Sequence, residues 1–419
     1  MNEVVSGNKR ALLLGVRDEN MPKKEAEALA RELGSLVDTL GLEIASLEMV
    51  HVRGKSAKFG MGTGKASELA EKAAALEVDC IIFDRDISPS QQRNWEKLAG
   101  VPIIDRQELI IQIFASRART REAELQINLA ELNYALPRLQ HKYIDLSRQR
   151  GGRYGTKGSG ETRFETDRRL VEKRIHKLEE ELEEVKRQRQ VQRKQRERQG
   201  VPVCALVGYT NTGKSSILNA LTGAGVLAED KLFATLDPTS RRLELPQGMQ
   251  ILLVDTVGFI RRLPHSLINA FRSTLEEAVR ADILLNVLDA SEEDAAGCYE
   301  TTLSVLQGLG AADIPMITVF NKIDRLQSAG ELDALLKSYP GSLAISAADG
   351  RGLPELCACI EQALSGANKR FRFPADRTDL AALLHRAGQV FSENYGEGFI
   401  EMEARVDERT AGRLKEWTC

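Results

Sequence analysis

Residues 208–215 read GYTNTGKS, with glycines, a lysine and a serine at the spacing that wraps a backbone around phosphates. Gly208 and Gly213 let the main chain curl so that its amides face the anion, and Tyr209, Thr210, Asn211 and Thr212 fill the curl between them. Lys214 reaches the outer phosphates and the Ser215 hydroxyl holds Mg²⁺. The apolar VCALV before the loop and SILNALTG after it supply the strand and helix that such a loop requires. The expected ligand is a nucleoside triphosphate.

Later residues select the base. NKID at 321–324 follows an apolar run, and Asp324 can accept from both the ring N–H and the amino group of guanine, a pair that adenine does not present. Asn321 either ties loops together or meets the base, the stem of Lys322 lies over the ring, and Ile323 closes the motif. SAA at 346–348 (Ser346, Ala347, Ala348) offers a backbone amide, from Ala347, to the guanine oxygen. The ligands are therefore GTP and its product GDP.

Two segments between these motifs would sense the third phosphate. DTVG at 255–258 places Asp255 behind Mg²⁺, with Thr256 and Val257 leading to Gly258, whose amide approaches the γ-phosphate. FATLDPT at 233–239 places Phe233, Ala234, Leu236 and Asp237 around Thr235, the candidate to close over Mg²⁺; Thr239 is the alternative. Such contacts form with GTP and release on hydrolysis. Lys214, Thr235, Gly258 and Asn211 are the candidate catalytic residues. After Gly258 stands Phe259, where Ras-like switches carry a water-orienting glutamine, so slow hydrolysis by the free protein is expected. The Asn211 amide either helps bind K⁺ against the phosphates, doing the work of an arginine finger, or only stabilises the loop.

These residues need an α/β scaffold, and the chain alternates apolar runs with helical patterns on both sides of a central segment. Residues 1–116 predict a small parallel α/β domain, with strands at 11–16, 42–52, 80–84 and 101–105 and helices near 22–40, 66–76 and 88–99. Within it GMGTGK (60–65) is a candidate phosphate turn without the full spacing of a nucleotide fingerprint. Residues 201–367 predict the GTPase domain, and 368–419 a small α+β domain with a helix at 376–390 and a strand at FIEMEARV. From 117 to 200, Leu125, Leu129, Leu132, Leu136, Leu139, Tyr143 and Leu146 face Val171, Ile175, Leu178, Leu182 and Val185 at 4,3 spacing. Those seams predict an antiparallel helix pair, with Pro137 kinking the first helix.

The turn of that pair, RQRGGRYGTKGSGETRFETDRR at 148–169, holds five glycines and seven Lys or Arg. Residues 117–200 carry 22 Lys or Arg against 14 Asp or Glu, so a net +8 stands on a chain whose total is −3. A basic segment on an acidic body suits either a polyanion partner or a solvated helical surface. Arg150, Arg153, Lys157 and Arg163 are the candidate phosphate contacts of this turn, those of an RNA if the partner is one. No apolar run reaches the roughly 18 residues of a membrane span and no charged-then-apolar leader opens the sequence, so a cytosolic monomer with no membrane span is expected. The six cysteines (Cys80, Cys204, Cys298, Cys357, Cys359, Cys419) fit no common zinc spacing and read as reduced, mostly buried thiols.

GYTNTGKSS, FATLDPTSRR, VDTVGFIRRLPHSLINAFRSTLEEA and above all LSRQRGGRYGTKGSGETRFETDRR resemble the HflX family of translation-related GTPases over nearly the whole chain. The resemblance implies a GTPase that binds the ribosome, chiefly the large subunit, with the hairpin turn against ribosomal RNA, and separates stalled or idle ribosomes into subunits. It also implies ATP at the amino-terminal domain, which would give GMGTGK a meaning. Ser216 stands where a threonine is common, and Ser159 where proline is frequent. Two other classes compete: an ATP-dependent RNA-remodelling enzyme, and a signalling GTPase that engages a protein effector through FATLDPT.

Overall fold

Four apolar runs build the first sheet. β1 (Arg10–Asp18), β2 (Glu43–Val52), β3 (Cys80–Phe83) and β4 (Ile103–Ile104) lie parallel in the order β2-β1-β3-β4. The computed structural model describes residues 9–52, 54, 56–149, 159–197, 201–223, 225, 231–262, 264, 272–365, 368–396, 398–406 and 408–419. β3 is buried throughout and β1 over its central six residues, as parallel strands covered on both faces must be. Leu12 and Leu14 pack towards α2 (Thr63–Ala75) and α3 (Pro89–Ala99), while Ala11 and Leu13 pack towards α1 (Lys23–Thr39) and α4 (Arg106–Arg117). Ser88 and Gln91 form a capping box that starts α3, Pro89 occupies its first turn, and left-handed Gly100 ends it.

The strand expected over 101–105 is only two residues long. Asp105 instead caps α4, accepting from the Glu108 N–H at 2.9 Å, and this helix was not expected from the sequence.

α5 (Arg121–Gln149) and α6 (Ser159–Glu197) form the helix pair. α5 carries two apolar stripes. Ala123, Ile127, Ala130 and Tyr134 belong to the core shared with α1 and α4, and Leu125, Leu129 and Leu132 meet Leu178, Leu182 and Val185 of α6. Helix α5 continues through Pro137. Next to it Arg138 stacks 3.5 Å from the Tyr134 ring centre and donates to Asp105 at 2.9 Å, so the pair is bolted to the amino-terminal domain. Leu170 on α6 is 59% exposed, outside the seam.

Beneath that bolt, Tyr134 donates to Glu108 at 3.1 Å. Burial, reinforced by Asp105, pushes the Glu108 carboxyl up to about 7. The folded chain therefore holds a proton that the unfolded chain releases, a contribution complete below pH 4.5 and lost as pH rises through 7. Glu108→Gln should flatten that dependence by about 2–3 kcal/mol, read as a melting-temperature difference from wild type that grows between pH 5 and 8.

The second sheet has the order β10-β9-β8-β5-β7-β6. Its strands β5 (Val203–Gly208), β7 (Gln250–Asp255), β8 (Ile283–Asp289), β9 (Met316–Asn321) and β10 (Leu343–Ala344) run parallel, and β6 (Thr239–Glu244) pairs antiparallel with β7. The helices are α7 (Lys214–Thr222), α8 (Arg272–Val279), α9 (Ala295–Leu309), α10 (Ala329–Ser338) and α11 (Leu353–Ser365). The third sheet is antiparallel, β11 (Asn368–Pro374), β13 (Phe399–Val406) and β12 (Gly388–Gly396), with α12 (Thr378–Ala387) and α13 (Glu408–Arg413). The helix expected over 376–390 ends at Ala387, because β12 begins at Gly388 and pairs with Val406. Cys80, Cys204 and Cys298 are buried, Cys357 and Cys359 partly so, and Cys419 is exposed, so half rather than most of the thiols are interior. Among the described residues no helix is long and apolar enough to cross a membrane.

Candidate functional site

The phosphate loop joins β5 to α7 at the carboxyl end of the second sheet, where open parallel sheets hold ligands. Two glycines there are required sterically. A Cβ on Gly208 (φ +136°) would meet the Val287 carbonyl at 2.3 Å, and one on Gly213 (φ +91°) would meet Asn321 Nδ2 at 2.2 Å. Asn211 lies between them at φ +59°, a conformation asparagine tolerates, and its carbonyl accepts from Lys322 at 2.6 Å. Lys214 is buried and donates to the Tyr209 carbonyl at 2.6 Å; desolvation pulls its ammonium down to about 8, against the pull of Asp255. A cleft of about 240 Å³ opens beside it, bordered by Asn211, Ser215, Thr235, Gly258 and Lys322.

Three oxygens converge at one wall. Ser215 Oγ lies 2.7 Å from Thr235 Oγ1, and both hydroxyls donate to Asp255 Oδ2, at 2.6 and 3.0 Å. Among the described residues Asp255 Oδ1 is buried without a hydrogen-bond partner, and desolvation raises the carboxyl. Among the described residues no cluster of three His, Cys, Asp or Glu side chains could hold a metal. Hydroxyls backed by a carboxylate suit a hard cation that also takes phosphate oxygens, as Mg²⁺ does. Thr239 is committed to β6 opposite Asp255, so it is Thr235 that meets Ser215.

The base motifs also meet. Asn321 donates to the Thr212 carbonyl at 2.9 Å and accepts from the Ala347 N–H at 3.0 Å, tying the phosphate loop to residues 346–348. That takes the amide expected to face guanine and leaves exposed Ala348 as the next in the loop. Asp324 is oriented by the Ser346 hydroxyl at 2.6 Å, and Lys322 (φ +65°) is held by Asp289 at 2.8 Å. Ile323 packs against the core.

Other expected residues turn elsewhere. Leu236 and Val257 are core residues, and Asp237 bonds to Thr120 at the start of α5. Phe233 and Ala234 border the cleft, as does Thr256, whose hydroxyl donates to the Leu206 carbonyl at 2.6 Å. Gly258 abuts the loop, where a Cβ would lie 2.6 Å from Thr210 Cα. Phe259 exchanges backbone hydrogen bonds with the loop, Thr210 N–H to its carbonyl at 2.8 Å and its own N–H to Gly208 at 3.0 Å. Its ring is 1% exposed, in the core with Phe233 and Ile260. Arg150, Arg153 and Lys157 lie outside the described residues, and of Arg163 only the helical backbone is described. In GMGTGK, Gly62 starts α2, Met61 is core, and Lys65 pairs with Glu68 at 2.6 Å.

A polar knot that the sequence did not announce ties this site to the first domain. The Tyr209 hydroxyl donates to Glu32 of α1 and accepts from the Arg261 N–H at 2.8 Å. Arg106 of α4 donates to the same Glu32 and, at 2.9 Å, to the Arg261 carbonyl. A charged residue leading the apolar stretch LIIQIF was the available signal.

Three family models match the chain: "GTP-binding GTPase N-terminal" over 27–115, "GTP-binding GTPase Middle Region" over 117–196, and "50S ribosome-binding GTPase" over 203–322. Relatives named GTPase HflX include that of Akkermansia muciniphila, 48% identical over 408 residues (94% of this chain, 93% of the relative). That of Magnetococcus marinus is 41% identical over 408 residues (97% and 94%), and that of Escherichia coli 40% over 387 (91% and 90%). With the phosphate loop, guanine motif and switch segments assembled around one cleft, the chain belongs to the HflX family of GTPases.

Proposed function

We propose that the chain docks its helix pair on the large ribosomal subunit, against ribosomal RNA, and uses GTP to part stalled or idle ribosomes into subunits. The observation that carries this reading is a basic two-helix projection rooted in the same core as the switch residues Phe233, Leu236 and Phe259. A projection built for protein packing would be apolar along its outer surface; this one is charged. The match to a 50S ribosome-binding GTPase family supports the same partner.

In the cleft, Lys214 would neutralise the outer phosphates, Ser215 and Thr235 would hold Mg²⁺ with Asp255 behind them, and Asp324 would read guanine. The Asn211 amide would favour K⁺ beside the phosphates. Phe259 is buried and supplies no group for the attacking water, so hydrolysis should be slow until the ribosome is bound. The factor works as a cytosolic monomer.

Sucrose-gradient sedimentation of intact ribosomes tests the reading. GTP or a non-hydrolysable analogue with the wild-type chain should convert the ribosome peak into subunits, and GDP should not. The variant with Arg150, Arg153, Lys157 and Arg163 all changed to alanine should bind ribosomes more weakly and with a flatter salt dependence, since fewer counterions are released. Its GTP affinity should be unchanged. An intact ribosome peak with GTP, or a fourfold variant with wild-type affinity and salt slope, would overturn the proposal.

A further inference from the structure

Thr235 sits midway along a segment gripped on one side by the first domain and on the other by the root of the helix pair. Two residues before it, Phe233 packs edge-on against Phe114 near the end of α4, with ring centres 4.6 Å apart and planes at 71°. Phe233 is 2% exposed and holds φ +55°, a left-handed conformation that an aromatic residue adopts only where its surroundings fix it. Two residues after Thr235, the Asp237 carboxylate accepts from the Thr120 hydroxyl through one oxygen and from the Arg119 N–H at 3.4 Å through the other. Upstream, the Leu232 N–H donates to the Thr39 hydroxyl at the end of α1, at 3.3 Å.

Thr120 does a second job. Its hydroxyl oxygen accepts from the Ala123 N–H at 3.2 Å and so caps the start of α5, the first helix of the pair. One side chain thus joins the helix pair to the loop that carries Thr235. A loop left to itself loses backbone freedom when Thr235 closes on the ion, and that loss subtracts from GTP affinity. Here the anchors order the loop beforehand, with Thr235 already 2.7 Å from Ser215.

We propose that Asp237 is a positioning residue for Thr235, working with Phe233, and that through Thr120 the seating of the helix pair sets how tightly the site closes on Mg²⁺ and GTP. The inference rests on Thr235 as the ligand that Mg²⁺ gains in the GTP state. Coupling between two sites is reciprocal, so nucleotide would in turn hold the base of the helix pair.

The test uses the full chain and equilibrium binding of fluorescent GDP and of a fluorescent non-hydrolysable GTP analogue, titrated with Mg²⁺. Asp237→Ala should weaken the triphosphate about tenfold, within the usual range of coupling between sites, and raise the half-saturating Mg²⁺. GDP affinity should hold, because Thr235 meets the ion only when the third phosphate is present. Asp237→Asn keeps an acceptor for Thr120 and should recover most of the loss. An unchanged ratio of triphosphate to GDP affinity in Asp237→Ala, or an equal loss of both nucleotides, overturns the inference. Thr235→Ala separates this from the role of Thr235 itself. If Thr235→Ala lowers the ratio and Asp237→Ala does not, only the positioning role fails; if Thr235→Ala leaves the ratio unchanged, both fail together.

Discussion

Arg106→Met should lower the stability of the unit formed by the first domain and the GTPase domain by about 3–5 kcal/mol, because it strands a buried charge. Arg106 is 1% exposed and its partner Glu32 8% exposed on their side chains. Without the guanidinium, Glu32 keeps, among the described residues, only the Tyr209 hydroxyl, and the Arg261 carbonyl loses the Arg106 donor. The double variant Arg106→Met with Glu32→Gln removes both charges and should recover much of the loss. Thermal unfolding of wild type, both single variants and the double variant provides the cycle. Equal transition temperatures in wild type and Arg106→Met would show that the pair holds nothing together.

Asp324→Asn should weaken GTP binding by tenfold or more. The Ser346 hydroxyl fixes the carboxylate through Oδ1, so an amide placed there presents donors to a base edge that itself donates, at about 1–3 kcal/mol for each unmet group. Xanthine carries a carbonyl where guanine carries its amino group, so the same variant should gain affinity for xanthosine triphosphate. Titration with both nucleotides checks the pair of outcomes. Wild-type GTP affinity in the variant would remove Asp324 from base recognition.

The nucleotide motifs were legible because their chemistry is local. A loop that must curl around phosphate needs glycine at fixed offsets, and Gly208 and Gly213 have no room for a Cβ. The helix pair was legible because its seam repeats, although among the described side chains of the expected stripe only Leu125, Leu178 and Leu182 are buried. Helix α4 escaped because nearly its whole length from Arg106 to Phe114 is buried, and a helix covered all round shows no apolar stripe. Strand β12 escaped for the opposite reason: it lies at a sheet edge and its GQVFSENYG holds exposed Phe391 and Tyr395, without a clean alternation. Glu32, Arg106 and Tyr209 are separated by 74 residues or more in sequence, and no spacing rule links partners that only tertiary packing brings together.

The two stripes of α5 have a mechanical consequence. A helix gripped on one flank only can swivel about its neighbour, whereas α5 is wedged between the domain and α6 and must turn with the domain as a single lever. Its 29 residues, at about 1.5 Å of rise each, make a shaft of about 44 Å. A tilt of about 5° at the root would sweep the far end through about 4 Å, close to the spacing of consecutive Cα atoms. Small rearrangements beside the nucleotide would therefore arrive at the far end of α5 as displacements of several ångströms.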